Sequence, residues 1–262
     1  MNQKNISHNF LNSTMAVGIG LIIFSMFLLS THDETGLRAQ EPTVKPPMTI
    51  YSYKTIIPPV IDGNIVEFQG ADSVYFCHAS APAVDYGFAY VLWNEKYFYI
   101  AFKVNNRNIR AWSTMENILP KMWENEDVIE VLIDCNNDKS QRMEKDDIGY
   151  HINLLGTILD AGGRKYKGNP HSDKDGGVIF AAKYVGTLND STDLDKGYSC
   201  EMAIPWSEIN RNPEIGMIMG IDFCVNDHSD IDGSYRYYDW CRQKRFQVPS
   251  KFGKVVLKDK AK

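Results

Sequence analysis

The sequence predicts an all-β protein: an antiparallel β-sandwich with a jelly-roll or immunoglobulin-like arrangement of two sheets and one or two short helices. Three observations support this fold. Hydrophobic residues alternate with a period of two in many short segments, helix signals are scarce, and the strand-favouring aromatic residues make up 12% of the 262 residues. Many short strands with almost no helix are typical of a sandwich.

The strands follow from the alternation along the chain. Residues 84–93 and 97–104 flank a tight turn at 94–96 and predict a hairpin. In the run 127–134, Ile129, Val131 and Ile133 face one way, whereas Val128, Glu130 and Leu132 face the other. Further strands are predicted at residues 150–155, 178–185, 198–204, 217–225 and 254–257.

Two short helices are indicated. Ser113 and Glu116 have the spacing of a capping box, which predicts a helix start. Pro205 opens the segment 205–209, which is typical of one helical turn.

The first forty residues predict export. Residues 15–30 form an uncharged apolar run, shorter than the roughly 20 residues that a spanning helix needs. Leu37 and Ala39 suit a signal-peptidase site, so residues 1–39 are predicted to be a signal peptide cleaved near Ala39. The protein would then be periplasmic, secreted or at the cell surface, and the alternative is an uncleaved membrane anchor. Residues 40–50 are a predicted Pro-rich linker, 51–258 the domain and 259–262 a basic tail.

Charge and cysteine content exclude some functions. The net charge of −5 argues against a nucleic-acid partner, because such proteins usually carry a basic stripe. The five cysteines include no C-x-x-C pair, and the odd number leaves at least one thiol unpaired. We expect mostly buried, reduced thiols, with one or two disulfides as the alternative that export permits.

Several sequence blocks, taken in order, resemble the family 9 carbohydrate-binding modules, a β-sandwich family often attached to plant-polysaccharide hydrolases. The resemblance covers roughly residues 57–257. The blocks are PPVIDG (58–63), LWNEKYFY (92–99), WENEDVIEVLID (123–134), YHIN (150–153), GYSCEMAIPW (197–206), VND (225–227) and PSKFG (249–253).

The resemblance implies a sugar site and non-catalytic binding of plant-type polysaccharides or their oligosaccharides. We expect weak affinity, micromolar to millimolar, because such a site is shallow and exposed to solvent. Trp123 and Phe246 are the implied aromatic clamp, with Phe246 in place of a Trp. Glu130, His151 and Asn153 are the implied hydrogen-bonding residues. His151 replaces an Arg of the family, and Cys224 replaces a Gln that contacts sugar. A monomer is expected, with membrane contact only if the N-terminal segment is uncleaved.

The residues themselves agree with a binding face. Glu130, His151 and Asn153 lie on predicted strands, and a buried polar group without a partner costs about 1–3 kcal/mol. These side chains avoid that cost if they line an open, concave face of the sheet. The alternative is that Glu130 pairs with a Lys or Arg at the sheet edge and that His151 is merely exposed. Of the other Trp residues, Trp93, Trp206 and Trp240 are expected to be structural, and Trp112 has no assigned role.

A structural calcium ion is a further expectation, and no other cofactor is expected to be required. Carboxylates two residues apart precede Gly233, a pattern similar to a calcium loop. Predicted strands flank this loop, which excludes an EF-hand. The candidate ligands are Asp227, Asp230 and Asp232, and the alternative is a solvated turn.

Two other functions remain as alternatives. A hydrolase would need paired carboxylates, but Asp127 and Glu130 fall on opposite faces of one strand, and the common catalytic motifs are absent from the sequence. The chain is therefore predicted not to be an enzyme, with a hydrolytic or hydrolase-associated domain as the alternative. A haem-binding sandwich is the second alternative, although no spacing of Met and His singles out a ligand pair.

Overall fold

The computed structural model describes residues 48–80, 83, 85–119, 121–161, 177–228, 233, 235–242 and 247–260. Within these residues the chain forms twelve strands, two one-turn α-helices and two 3-10 turns. The strands are β1 (Thr49–Lys54), β2 (Ser73–Cys77), β3 (Tyr86–Trp93), β4 (Tyr97–Asn105), β5 (Val128–Asp134), β6 (Ile148–Asn153), β7 (Ile158–Ala161), β8 (Ile179–Val185), β9 (Gly197–Pro205), β10 (Ile218–His228), β11 (Tyr235–Asp239) and β12 (Gly253–Lys258). The helices are α1 (Met122–Asn125) and α2 (Trp206–Ile209), and the 3-10 turns span Ile65–Phe68 and Pro249–Lys251.

The strands form one hydrogen-bonded path that folds back on itself. Its order is β7-β6-β5-β10-β12-β1-β3-β4-β9-β8, with β11 beside β10 and β2 beside β3. The predicted antiparallel sheet is therefore mixed, because β1 pairs in parallel with both β12 and β3. The inner faces of the two layers meet in the core, where the Phe102 ring lies 5.8 Å from that of Phe223.

The alternation predicted for β5 is confirmed. Ile129, Val131 and Ile133 are buried in the main hydrophobic core, which lies between the layers. The core receives Phe98, Ile100, Phe102 and Val104 from β4 in the same way. Consequently Glu130 lies on the opposite face of β5, the outer face of its layer.

The aromatic face of β3 points away from this core. Tyr86, Phe88 and Tyr90 are half-buried, whereas Gly87, Ala89, Val91 and Trp93 are buried. Tyr75 of β2 covers the outward aromatics, with its ring 5.2 Å from that of Phe88. Trp93 and Trp206 are buried and meet edge to face at 6.5 Å, so their predicted structural role is confirmed.

The helix predicted at Ser113 does not form. The buried carboxylate of Glu126 accepts hydrogen bonds from the Ser113 backbone N–H and hydroxyl group. The Ser113 hydroxyl oxygen, which would accept from the first turn of a helix in a cap, accepts from the Leu119 backbone N–H, six residues further on. Residues 114 and 117 form an isolated bridge instead, and the helix begins later, at Met122. The helical turn after Pro205 is confirmed as α2.

The remaining predictions on segments and thiols have mixed outcomes. Strand β1 begins at Thr49, inside the predicted linker, and the predicted signal peptide lies outside the described residues. None of the five cysteines, all of which lie in the described part of the chain, forms a disulfide. The described part of the chain contains no helix of the length and apolar character needed to cross a bilayer.

Candidate functional site

Three predicted site residues lie in one row across the outer face of the β5 layer. In the strand register, His151 of β6 stands opposite Glu130 of β5, and Glu130 stands opposite Cys224 of β10. Side chains of directly opposed residues in antiparallel strands point to the same face. The sheet thus brings together residues that are more than 90 positions apart in the sequence.

Glu130 has partners inside the protein. Its Oε1 accepts a hydrogen bond of 2.6 Å from Asn226 Nδ2 and lies 3.2 Å from His151 Nε2. Glu130 is only 4% exposed and His151 only 6%. The predicted open face is therefore closed over these residues, and the carboxylate pairs with an imidazole and an amide rather than with a Lys or Arg.

The protonation of His151 is set by competing effects. Burial lowers the pKa of the imidazole, but the negative charge of Glu130, its hydrogen bond and a hydrogen bond to the Leu159 backbone together raise that pKa above its usual value. The site therefore favours an imidazolium beside a carboxylate.

Aromatic side chains flank the connected group formed by His151, Glu130 and Asn226. The ring of Trp123, in α1, lies 5.3 Å from the His151 ring at an angle of 39°. At the other end, the Tyr235 hydroxyl donates a hydrogen bond to Asn226 Oδ1, and Tyr235 is 43% exposed. We call the set Trp123, His151, Glu130, Asn226 and Tyr235 the polar row.

Asn226 and Tyr235 were not among the predicted site residues. Asn226 belongs to the same alternation as Cys224, so continuing the outward face of β10 would have identified it. Tyr235 lies in a strand of five residues that was not predicted, and its approach to Asn226 depends on the register between β10 and β11.

Asn153 has a structural position instead of one at the site surface. Its Nδ2 donates hydrogen bonds of 2.8 Å to the Ser113 carbonyl oxygen and to Glu126 Oε2. Its Oδ1 accepts from the backbone N–H groups of Leu155 and Thr157. The amide of Asn153 is fully used in fixing the loop at Ser113, so it is not placed to read sugar hydroxyls.

Of the two other predicted contacts, the structure describes only Cys224. Cys224 shares the outer face with Glu130 but is completely buried in a small cluster with Leu132 and Phe252. Burial raises the pKa of its thiol well above the usual value, so the thiol is neutral and out of a ligand's reach. Phe246 lies outside the described residues.

Of the three predicted calcium ligands, the structure describes only Asp227. Asp227 lies in β10 opposite Arg236 and is buried, so it is not a loop residue, and Asp230 and Asp232 lie outside the described residues. Instead, carboxylate oxygens of Asp134, Asp146 and Asp147 lie within 4.8 Å of one another.

A second overlapping group extends this cluster. Carboxylate oxygens of Asp138, Glu144 and Asp146 also lie within 4.8 Å of one another. Asp147 is buried, its Oδ1 has no hydrogen-bond partner, and burial with the neighbouring negative charges raises its pKa to about 7. An orphaned buried oxygen among carboxylates is the environment that an oxygen-seeking cation such as Ca²⁺ requires.

Comparison with known proteins identifies the chain's relatives. The family model described as carbohydrate family 9 binding domain-like matches residues 74–260. The chain is 29% identical over 172 residues to an endo-1,4-beta-xylanase A of Thermoanaerobacterium saccharolyticum, covering 65% of the chain and 12% of that enzyme. It is 27% identical over 206 residues to exoglucanase XynX of Acetivibrio thermocellus, covering 77% and 16%. The chain thus spans only a small part of these curated relatives.

Solved structures show the same fold. A family 9 carbohydrate-binding module from Caldicellulosiruptor kristjanssonii in complex with cellotriose superposes with a TM-score of 0.61 at 20% identity, covering 81% of this chain and 95% of that one. The module from the same organism in complex with glucose gives a TM-score of 0.58, also at 20% identity, covering 81% and 97%. At this identity the likeness establishes the architecture, and the role of each side chain rests on the geometry described above.

Proposed function

Because the chain belongs to the carbohydrate family 9 binding domain-like family, we propose that it is a non-catalytic module that binds carbohydrate on the polar row. The observation that carries the proposal is the continuous contact from Trp123 through His151, Glu130 and Asn226 to Tyr235. Aromatic rings beside hydrogen-bonding carboxylate and amide groups are what a sugar ring with its hydroxyl groups requires.

The burial of the row defines how a ligand reaches it. Glu130 and His151 are almost fully covered, whereas Tyr235 is the exposed member and holds Asn226 through its hydroxyl group. Rotation of Tyr235 away from Asn226 uncovers the amide, and the Asn226 oxygen then accepts a hydrogen bond from a sugar hydroxyl group. Trp123, half-buried beside His151, provides the apolar surface on which the sugar ring stacks.

The proposed ligands are β-1,4-linked oligosaccharides of glucose or xylose. The relatives are named as endo-1,4-beta-xylanase and exoglucanase, and the superposed modules hold cellotriose and glucose. We expect dissociation constants in the micromolar to millimolar range, because the row offers few exposed hydrogen-bonding groups and Tyr235 must first move. Export, supported by the apolar run at residues 15–30, would place the module where such polymers occur.

A titration followed by nuclear magnetic resonance tests this site. Amide shifts of the purified chain are recorded while glucose, cellotriose or xylotriose is added. The proposal predicts saturable shifts that cluster around Trp123, Glu130, Asn226 and Tyr235. Absence of saturable shifts with every sugar, or shifts confined to the opposite edge at β8, would contradict it.

We also propose that the acidic cluster around Asp147 holds a structural calcium ion. The support is the orphaned Oδ1 of Asp147 and the packing of Asp134 and Asp146 against it. Calcium takes six to eight oxygen ligands, and this segment offers them from carboxylates on both sides of the loop between β5 and β6. Asp134, Asp146 and Asp147 would be the ligands, with Asp138 and Glu144 beside them.

A further inference from the structure

Trp112 is a large aromatic side chain that the polar row leaves unused. It is 40% exposed, unlike the buried Trp93 and Trp206. The guanidinium group of Arg110 lies over its ring, 4.6 Å from the centroid. One face of the indole is therefore covered by a cation that fixes its orientation, and the side chain still keeps a large exposed surface.

One end of the segment that carries Trp112 is fixed near β6. The Trp112 backbone N–H donates a hydrogen bond of 2.8 Å to Glu126 Oε2, and the Ser113 N–H donates one of 2.9 Å to Glu126 Oε1. Asn153, at the end of β6, holds the Ser113 carbonyl oxygen at 2.8 Å.

The other end is fixed near β10. The Arg110 backbone N–H donates to Asp127 Oδ2 at 2.8 Å, and Arg110 Nη1 lies 2.7 Å from His228 Nδ1. His228 stands opposite Tyr235 in the strand register. Residues 110–113 thus cross the start of β5 and form a rim alongside the polar row.

The rim is displaced from the polar row by two residues along the strands. Asn153 follows His151 by two residues on β6, and His228 follows Asn226 by two residues on β10. Two residues of a strand span about 7 Å. A sugar ring on the row and a neighbouring ring of the same oligosaccharide at the rim are therefore compatible with one bound chain.

We propose that Trp112 is a second aromatic subsite, which makes the module prefer oligosaccharides over monosaccharides. The inference rests on the proposed function, since the first ring of the ligand occupies the polar row. Arg110 acts as a positioning residue, because it holds the indole plane while the exposed face stacks on the next sugar ring.

Calorimetric titrations with glucose and with cellotriose test the subsite. The Trp112→Ala variant is compared with the unmodified chain and with Tyr184→Ala, which removes a similarly exposed aromatic (42%) from the edge strand β8. We expect Trp112→Ala to weaken cellotriose binding about fivefold or more while glucose binding changes less than about twofold, and Trp112→Phe to recover most of the loss. Tyr184→Ala should change neither affinity.

The outcomes separate the subsite from the site. Equal losses for both sugars, or no loss for cellotriose, would overturn the subsite while the binding seen for the unmodified chain upholds the proposed function. If the unmodified chain binds no sugar and Trp123→Ala is indistinguishable from it, the proposed function fails and the subsite with it.

Discussion

Glu130 and His151 lie opposite each other on β5 and β6, with Oε1 and Nε2 3.2 Å apart on a face that is almost closed to solvent. This pair is the centre of the polar row. A carboxylate buried without a partner would cost several kcal/mol, and the imidazole and the Asn226 amide offset that cost. The row is therefore both a structural element and the polar part of the proposed site.

The pair predicts a pH-dependent stability. The folded pKa of His151 is raised above its usual value, so the protonated imidazole stabilises the fold. This contribution is fully present below the unfolded pKa of about 6.5 and is lost as the pH rises through the folded pKa. Urea unfolding of the unmodified chain and of His151→Gln between pH 5.5 and 9 should show a difference that shrinks as pH rises. A difference independent of pH would contradict the ion pair.

Asn153 should matter for folding more than for binding. Asn153→Ala removes the side-chain amide that donates hydrogen bonds to Glu126 and to the Ser113 carbonyl oxygen. Both acceptors are buried and each would lose one hydrogen bond. We expect a loss of about 2–4 kcal/mol in the free energy of unfolding, measured by urea denaturation. A loss below about 0.5 kcal/mol would show that the Ser113 loop does not depend on this amide.

The proposed calcium ion predicts a metal-dependent melting temperature. At a calcium concentration about 100 times the dissociation constant, the melting temperature should lie roughly 5 °C or more above that in a chelator. Asp147→Asn should abolish the difference, because it weakens the buried ligand, whereas Asp193→Asn, at an exposed position, should preserve it. An equal melting temperature in calcium and in chelator would contradict the site.

The cysteines predict a single reactive thiol. Cys77 is half-buried, whereas the other four are buried, and burial raises the pKa of the Cys200, Cys224 and Cys241 thiols. A thiol reagent such as dithionitrobenzoate should titrate one thiol in the native protein and five in denaturant. Rapid reaction of a second native thiol, or fewer than five in denaturant without reductant, would contradict this arrangement.

Local patterns in the sequence predicted eight of the twelve strands described and missed β1, β2, β7 and β11. The alternation of Ile129, Val131 and Ile133 placed Glu130 on the outer face of β5, as the structure confirms. Partners across strands were harder to predict. The contact of Tyr235 with Asn226 depends on the pairing of β10 with β11, which no period in one segment reveals.

Long-range contacts also explain the incorrect predictions. The capping box at Ser113 does not form because the Ser113 oxygen accepts from the Leu119 N–H, while Glu126, thirteen residues away, accepts from the Ser113 N–H and hydroxyl groups. The acidic cluster escaped detection because Asp134 meets Asp146 and Asp147 only when the loop between β5 and β6 folds back. In each case residues that are distant in the sequence meet only in the folded chain.

The most direct test is the affinity for cellotriose of the unmodified chain, of Trp123→Ala and of the Tyr184→Ala control, measured by calorimetry. Binding at the polar row predicts a micromolar to millimolar dissociation constant for the unmodified chain and the control, and a loss of at least about tenfold, or 1.4 kcal/mol, in Trp123→Ala. Undiminished binding by Trp123→Ala, or no binding by the unmodified chain, would contradict the proposed site.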